Sequence, residues 1–340
     1  MDGKVFDRIR ESLEEQRQNI EEWIETSSPE EKQVRLGPVQ EDAVQKHLEV
    51  LDSAVQKAED KTLGICTVCN DYVEVSRLEV DYTANVCIDH FTPDQRRKLE
   101  SELELSKKVQ KALLPQSVPE IPGLEVAAYS QPARIVGGDY FDFLRFQDTT
   151  PGFLVADVMG KGIAASLLMA SLQASLKILV TENDSPGEVA KRLNHLFLHN
   201  ISLTKFVTIF LAKYEPELRI LNYCNAGHNP PFLYRAKEGS LNWLNSTGAA
   251  IGLVEDFEFE TQKIKLSPGD LLLLYTDGVT EARNSKEEEY GTDRLSEVVT
   301  RNTDLSSSEL IAALRRDLQV FAEGLPLEDD TTIVAVRVQN

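Results

Sequence analysis

Basic residues are in short supply in this chain. Lys and Arg total 36 against 56 Asp and Glu, a formal net charge of −20 over 340 residues. A surface that acidic repels phosphate backbones and anionic headgroups, so binding to nucleic acid or to a membrane is not expected. Long apolar runs are missing too: nowhere do about 18 apolar residues follow one another, the length a membrane-spanning helix needs. The opening Met1-Asp2-Gly3-Lys4-Val5-Phe6 lacks the basic start and apolar core of a secretory signal. A cytoplasmic protein is the resulting expectation. Cysteine is scarce, with four in the chain. Three of them, Cys66, Cys69 and Cys87, lie close together, and Cys224 stands alone. No internal repeat or low-complexity tract is present. The 41% hydrophobic and 27% charged content places the chain among soluble globular proteins. Its length leaves room for two or three domains.

Residues 4–26 carry Phe6, Ile9, Leu13, Ile20, Trp23 and Ile24, mostly three or four apart, among Glu, Gln and Arg. Residues 39–58 repeat the pattern with Val39, Ala43, Val44, Leu48, Leu51 and Val55. Each reads as an amphipathic helix with one apolar stripe. Ser27-Ser28-Pro29 and Gly37-Pro38 mark the connector between them. The prediction is a helical hairpin over residues 1–60, whose stripes need each other or a second subunit. A further helix is predicted over 94–114 and stops at Pro115. A lone solvated helix is marginal, so it is expected to pack on a neighbour or zip with a copy of itself. A homodimer formed through residues 1–115 follows. The organisation expected is a regulatory hairpin (1–60), a zinc-knuckle module (61–93), a linker helix (94–115) and a catalytic domain (116–340).

Beyond residue 120 strand-like runs appear at 124–129, 140–146, 152–156, 206–213, 219–225, 231–234, 257–264, 271–275 and 333–338. Helical stretches fall at 161–180, 186–200 and 306–323. The first of these is apolar nearly all round and is expected to be buried. Strands come in runs without strict alternation with helices, which argues for an α+β fold with antiparallel sheets.

Cys66-Thr67-Val68-Cys69 is followed by Cys87-Ile88-Asp89-His90. Two short knuckles separated by a loop form a tetrahedral set for Zn²⁺. Cys66, Cys69, Cys87 and His90 fill all four positions, so one structural zinc is expected and Asp89 is not needed as a ligand. Buried, unligated cysteines beside a surface histidine are the plainer alternative.

Four acidic runs carry the chemistry: Gly137-Gly138-Asp139-Tyr140-Phe141-Asp142, Ala156-Asp157-Val158-Met159-Gly160-Lys161-Gly162, Tyr275-Thr276-Asp277-Gly278 and Glu328-Asp329-Asp330-Thr331-Thr332. Most adjoin strand-like stretches, which places carboxylates at strand ends where distant segments converge. Asp oxygens suit hard divalent cations such as Mg²⁺ and Mn²⁺. Singly each run is weak, because an Asp-Gly pair is commonly a turn. Arg134 and Lys161 are nearby cations that could contact phosphate or simply be solvated. His228 could donate to a leaving group or brace its own loop. Gly138, Gly160 and Gly278 suit close backbone approach or positive φ.

Taken together and in order, the runs resemble the metal-dependent serine/threonine protein phosphatases of the PPM superfamily. They are most similar to the bacterial branch of stage II sporulation and sigma-factor-regulating phosphatases. The segments Pro132–Asp142, Val155–Ala165, Cys224–Pro231, Leu274–Ala282 and Asp329–Thr332 carry the resemblance, as does the helix Glu102–Pro115 before them. It covers roughly residues 95–340. The resemblance implies a four-layer α-β-β-α sandwich and hydrolysis of phosphoserine or phosphothreonine on a signalling protein such as an anti-sigma-factor antagonist. It implies two Mn²⁺ or Mg²⁺ ions held by Asp139, Asp157, Asp277 and Asp329, with Asp157 bridging and the Val158 carbonyl adding a ligand. Asp330 competes with Asp329 for the last place, and Asp142 is structural or behind the ligands. No protein nucleophile is required, so Cys224 is expected in the core. The alternatives are a non-catalytic scaffold or sensor with this fold, or another two-metal hydrolase.

Overall fold

The computed structural model describes residues 3–26, 41–78, 81–200, 206–255, 257–325 and 327–339. The chain divides into two compact units, Met1–Glu102 and Leu103–Asn340.

In the first unit α1 (Gly3–Thr26) packs on α2 (Glu41–Glu59), as the matched apolar stripes require. Phe6, Ile9 and Leu13 meet Leu48, Leu51 and Ala54. An ion pair from Arg17 Nε to Asp52 Oδ1 (2.6 Å) crosses between the helices. The same core takes in Leu63, Cys66, Leu78 and Cys87, so the hairpin and the Cys/His segment share one hydrophobic centre. The Phe6 ring meets Tyr72 edge-on at 5.5 Å. The connector read at 27–38, residue Val39, and the side chains of Trp23, Ile24, Ala43 and Val44 lie outside the described residues. After the four-residue α3 (Val75–Leu78), α4 (Pro93–Leu113) matches the predicted linker helix and buries no side chain. It begins at a reciprocal cap: Gln95 N–H donates to Thr92 Oγ1 (3.2 Å) and Thr92 N–H to Gln95 Oε1 (2.9 Å). The boundary between the units falls within α4.

The second unit is the expected four-layer sandwich. One sheet has the order β1 (Leu124–Gln131), β10 (Thr331–Val338), β9 (Leu271–Tyr275), β6 (Phe232–Arg235), β7 (Ser240–Trp243). The other runs β2 (Tyr140–Arg145), β3 (Pro151–Val158), β4 (Val207–Glu215), β5 (Ile220–Ala226), β8 (Gln262–Lys265). Neighbours are antiparallel in both. Phe153, Val155 and Phe210 meet Leu272, Leu274 and Val334 between the sheets. Outside the second sheet lie α5 (Ile163–Glu182) and α6 (Pro186–Asn200), with Met169, Leu172 and Leu193 against Leu154 and Leu211. Outside the first lie α8 (Gly291–Arg301) and α9 (Ser307–Phe321), with Leu295 and Leu314 against Leu273 and Ile333. Central strands are covered on both faces, which is why β4 and β9 read as continuous apolar runs.

In the second unit three elements escaped the sequence reading: β7, α8 and the single-turn α7 (Asp277–Thr280). The strand expected at 257–264 is confined to Gln262–Lys265. Helix α5 was expected to be buried all round. It is long and apolar enough to cross a membrane by length and composition, but as an outer layer it packs one face only. Ala165, Met169, Leu172, Leu176 and Val180 are buried, while Leu167 stays 66% exposed.

Candidate active site and a Cys/His cluster

The four acidic runs meet at one end of the sandwich because antiparallel pairing returns each strand end to the same rim. Asp139 precedes β2 and Asp157 lies near the end of β3, its direct neighbour. Asp277 follows β9, and Asp329 and Asp330 precede β10, its neighbour in the other sheet. Thr276 joins the sheets here. Its hydroxyl donates to Asp139 Oδ2 (2.7 Å) and accepts from the Thr332 N–H (2.9 Å).

Two close approaches complete the rim. A Cβ on Gly138 would fall 2.6 Å from the Val158 carbonyl oxygen, so the Asp139 loop reaches that carbonyl only with glycine there. A Cβ on Gly278 would likewise collide with the Asp330 carbonyl.

Asp330 accepts from the Ala133 N–H at Oδ1 (2.8 Å) and from the Gly138 N–H at Oδ2 (2.6 Å). Both oxygens are committed to the loop before Asp139. Asp329, by contrast, faces a cation: Lys161 Nζ lies 2.8 Å from its Oδ2 and donates to the Glu328 carbonyl (2.9 Å). Asp142 lies apart from the rim chemistry. Buried, it is held by Lys177 Nζ (2.6 Å) on α5, by the Tyr140 hydroxyl and by the Phe143 N–H (2.7 Å). It is structural. Arg134 is exposed, and Cys224 is buried in the core as expected.

Like charges crowded out of water oppose ionisation. Burial, then the charge of Asp157, holds the Asp139 carboxyl well above its usual range. Asp157 is pushed up to about 7 by burial and by Asp277, Asp329, Asp330 and Glu281. Asp277 rises to about 6 by burial, Asp329 and Glu281. Mutual electrostatic influence thus links the acidic positions quoted from the sequence, and adds Glu281, which had no assigned role. Also missed were Thr276 and Gln110. On α4, Gln110 grips Gly137 through both backbone atoms, Nε2 to the carbonyl (2.6 Å) and Oε1 from the N–H (3.1 Å).

In the first unit, Cys66, Cys69, Cys87 and His90 bring their ligand atoms within 4.8 Å of one another. A turn at Asn70 (φ 62°) returns the chain, with the Asn70 N–H donating to the Cys66 carbonyl (2.9 Å). The N–H groups of Val68 (3.4 Å) and Cys87 (3.3 Å) point at Cys66 Sγ. Burial raises the Cys66 thiol, but N–H donors from Cys87, Cys69 and Val68 outweigh it and bring it down to about 6. Cys87 is pushed up to about 12 by burial and by its two sulfur neighbours. A thiol held down beside one pushed up by its sulfur neighbours suits a cation.

Two antiparallel sheets flanked by helices, with aspartates gathered on one rim, form the architecture that the family resemblance implied. The model of the Stage II sporulation protein E (SpoIIE) family matches residues 147–339, and the chain belongs to that family. It is 30% identical to the phosphoserine phosphatase RsbU of Bacillus subtilis over 242 residues, 71% of each protein. It is 30% identical to the phosphoserine phosphatase RsbP of the same organism over 182 residues, 52% of this chain and 45% of that one. Among solved structures, the SiaA-PP2C domain of Pseudomonas aeruginosa aligns with 72% of this chain and 98% of its own, at 20% identity and TM-score 0.63. The RsbU and RsbW domains of Rv1364c from Mycobacterium tuberculosis align with 67% and 63%, at 25% identity and TM-score 0.56.

The raised carboxyls have a consequence for the metal-free fold. The folded state keeps a proton on Asp157 that the unfolded chain releases near 3.8. Stability should therefore fall as pH rises from there through about 7. Asp157→Asn removes the repulsion and should stabilise the metal-free protein by at least about 1 kcal/mol at high pH, with little effect at low pH. Urea denaturation in chelator across this range checks it; destabilisation at high pH would contradict it.

Proposed function

We propose that this chain is a Mn²⁺- or Mg²⁺-dependent protein phosphatase acting on phosphoserine or phosphothreonine of a signalling protein, an anti-sigma-factor antagonist being the substrate. The observation that carries the reading is the convergence of four sequence-distant aspartate runs whose charges press on one another. The family relatives named phosphoserine phosphatases support it. In this reading Asp139, Asp157, Asp277, Asp329 and the Val158 carbonyl hold two ions. When bound, such ions supply an activated water and neutralise phosphoryl charge. The chain's own groups do the rest. Thr276 fixes the Asp139 carboxylate. Asp330, saturated by backbone donors, shapes the loop and leaves Asp329 as the last ligand. Lys161 reaches the rim and Arg134 is free to meet phosphate oxygens.

Cys66, Cys69, Cys87 and His90 hold one structural zinc in the same reading. The tight donor set and the N–H donors to sulfur support it. The N-terminal unit regulates, and the protein is a cytoplasmic homodimer through residues 1–115. Leu105 and Val109, exposed at four-residue spacing on α4, support a helix–helix seam. The Gln110 grip on Gly137 supports a route from α4 to the Asp139 loop. Free cysteines, with no disulfide among the described residues, fit a reducing compartment.

Three measurements test this. A Mn²⁺ titration of phosphate release from a phosphoserine protein should show metal-dependent turnover, reduced at least about 100-fold by Asp157→Asn; equal turnover by the variant would reject catalysis at this rim. Elemental analysis should find one zinc per chain, and strong chelation should melt helical signal from residues 1–102; a zinc-free protein indifferent to chelator would reject the structural metal. A chain beginning at residue 116 should sediment as a monomer, with its Mn²⁺ requirement changed by about 5–150-fold. An unchanged mass and requirement would reject both the dimer and the regulation.

A further inference from the structure

His228 is 2% exposed, and none of the chemistry above uses it. Its place follows from a gap in a sheet. Strand β6 pairs with β9 so that Phe232 faces Leu273 and Leu233 faces Leu272. Continuing that register sets Pro231 against Leu274 and Pro230 against Tyr275. Neither proline has an N–H, so the ladder loses its donors there. The chain turns at Gly227 (φ 69°), and the His228 N–H donates to Asn225 Oδ1 (2.8 Å). Asn225 is itself anchored, donating to Thr247 Oγ1 (2.9 Å) and to the Leu244 carbonyl (3.1 Å). This bracing swings the imidazole inward.

The ring then touches both sheets. Nδ1 lies 2.9 Å from the Thr208 hydroxyl oxygen on β4. Nε2 is wholly buried and closes no hydrogen bond, and the Tyr275 backbone on β9 lies near enough to the ring to favour its charged form. A carbonyl only accepts, so the tautomer that suits both neighbours has its proton on Nε2 and accepts from Thr208 at Nδ1. Burial keeps the ring neutral, its pKa lowered to about 4. Thr208 is the direct cross-strand partner of Asp157, so their side chains share a face. Tyr275 stands two residues before Asp277.

We infer that His228 is a positioning residue for the metal site, a strut that sets the separation of Asp157 on one sheet from Asp277 on the other. The inference rests on reading these aspartates as metal ligands. It is distinct from a role on the leaving group, because the ring reaches the ligands only through Thr208 and the Tyr275 backbone.

The test uses the full chain and measures Mn²⁺ binding by calorimetry beside kcat at saturating Mn²⁺. His228→Ala should weaken Mn²⁺ binding by about 10-fold or more, the size seen for groups that orient metal ligands, with a smaller change in kcat. His228→Gln, whose amide nitrogen can reach the Nε2 position, should recover part of the loss. Thr208→Val should weaken binding in the same direction, and the double variant should lose less than the sum. A folded His228→Ala protein that binds Mn²⁺ like the unaltered chain would overturn the inference. So would a loss confined to kcat, which would assign the ring to the leaving group. Should His228→Ala fail to fold, unchanged Mn²⁺ affinity in Thr208→Val overturns it. If the unaltered chain binds no Mn²⁺, the aspartate reading fails first and takes this inference with it.

Discussion

Everything at the rim follows from holding like charges together. Asp139 is buried in the fields of Asp157 and Asp330, and Asp157 feels Asp277, Asp329 and Asp330. Left to solvent these groups would separate. The fold prevents this by fixing each to a strand end in a ladder whose register is set by buried apolar faces. Phe153 and Val155 hold the Asp157 strand, and Leu272 and Leu274 hold the Asp277 strand, in a single layer between the sheets. The repulsion is therefore sustained by the same core that creates the sandwich. A cation would relieve it, so any affinity for metal would be a property of the whole domain and not of a few side chains alone.

The adjacent Asp329 and Asp330 show how one acidic run divides its labour. A carboxylate with both oxygens on backbone N–H groups is satisfied and has little left to offer an ion. Its neighbour has one oxygen on the Asp330 N–H and the other on the half-exposed Lys161 ammonium. Asp330 thus shapes the Ala133–Gly138 loop that presents Asp139, and Asp329 stays available. Thr276 supplies the remaining order by connecting the Asp139 carboxylate to the backbone of β10.

Much of this was legible in the sequence because the acidic runs abut long apolar stretches, and such stretches bound the strands closely. The choice between Asp329 and Asp330 was not legible, since two identical neighbours differ only in what their oxygens meet. Thr276 lay inside a quoted motif but looked like a spacer; only a contact with Asp139, distant in sequence, reveals it. Gln110 sits on a charged, solvated helix where one more amide carries no pattern. Helix α8 did leave a trace, with Leu295, Val298 and Val299 at helical spacing, but its short apolar face was lost among Thr, Asp and Arg. Helix α5 misled in the other direction. An all-round apolar composition predicts burial, yet an outer layer of a sandwich covers only one side.

The two ligating groups also differ in a way that bears on which metal goes where. Zn²⁺ outcompetes Mn²⁺ and Mg²⁺ at almost any N, O or S site, so affinity alone cannot keep the sites apart. Geometry and softness can. Cys66, Cys69, Cys87 and His90 form a closed set of soft donors, with backbone N–H groups directed at sulfur. The aspartates form an all-oxygen set rimmed by glycine-thin backbone. Only the thiolate set is also part of a hydrophobic core, with Cys66 and Cys87 packed among Leu51, Leu63 and Leu78. A metal bound there, as proposed, would join the segments of that core, and its binding energy would become folding energy for the hairpin. A metal at the rim of the sandwich finds a domain already folded and relieves strain within it. On the proposed reading, one metal site would build structure and the other would draw on structure already built.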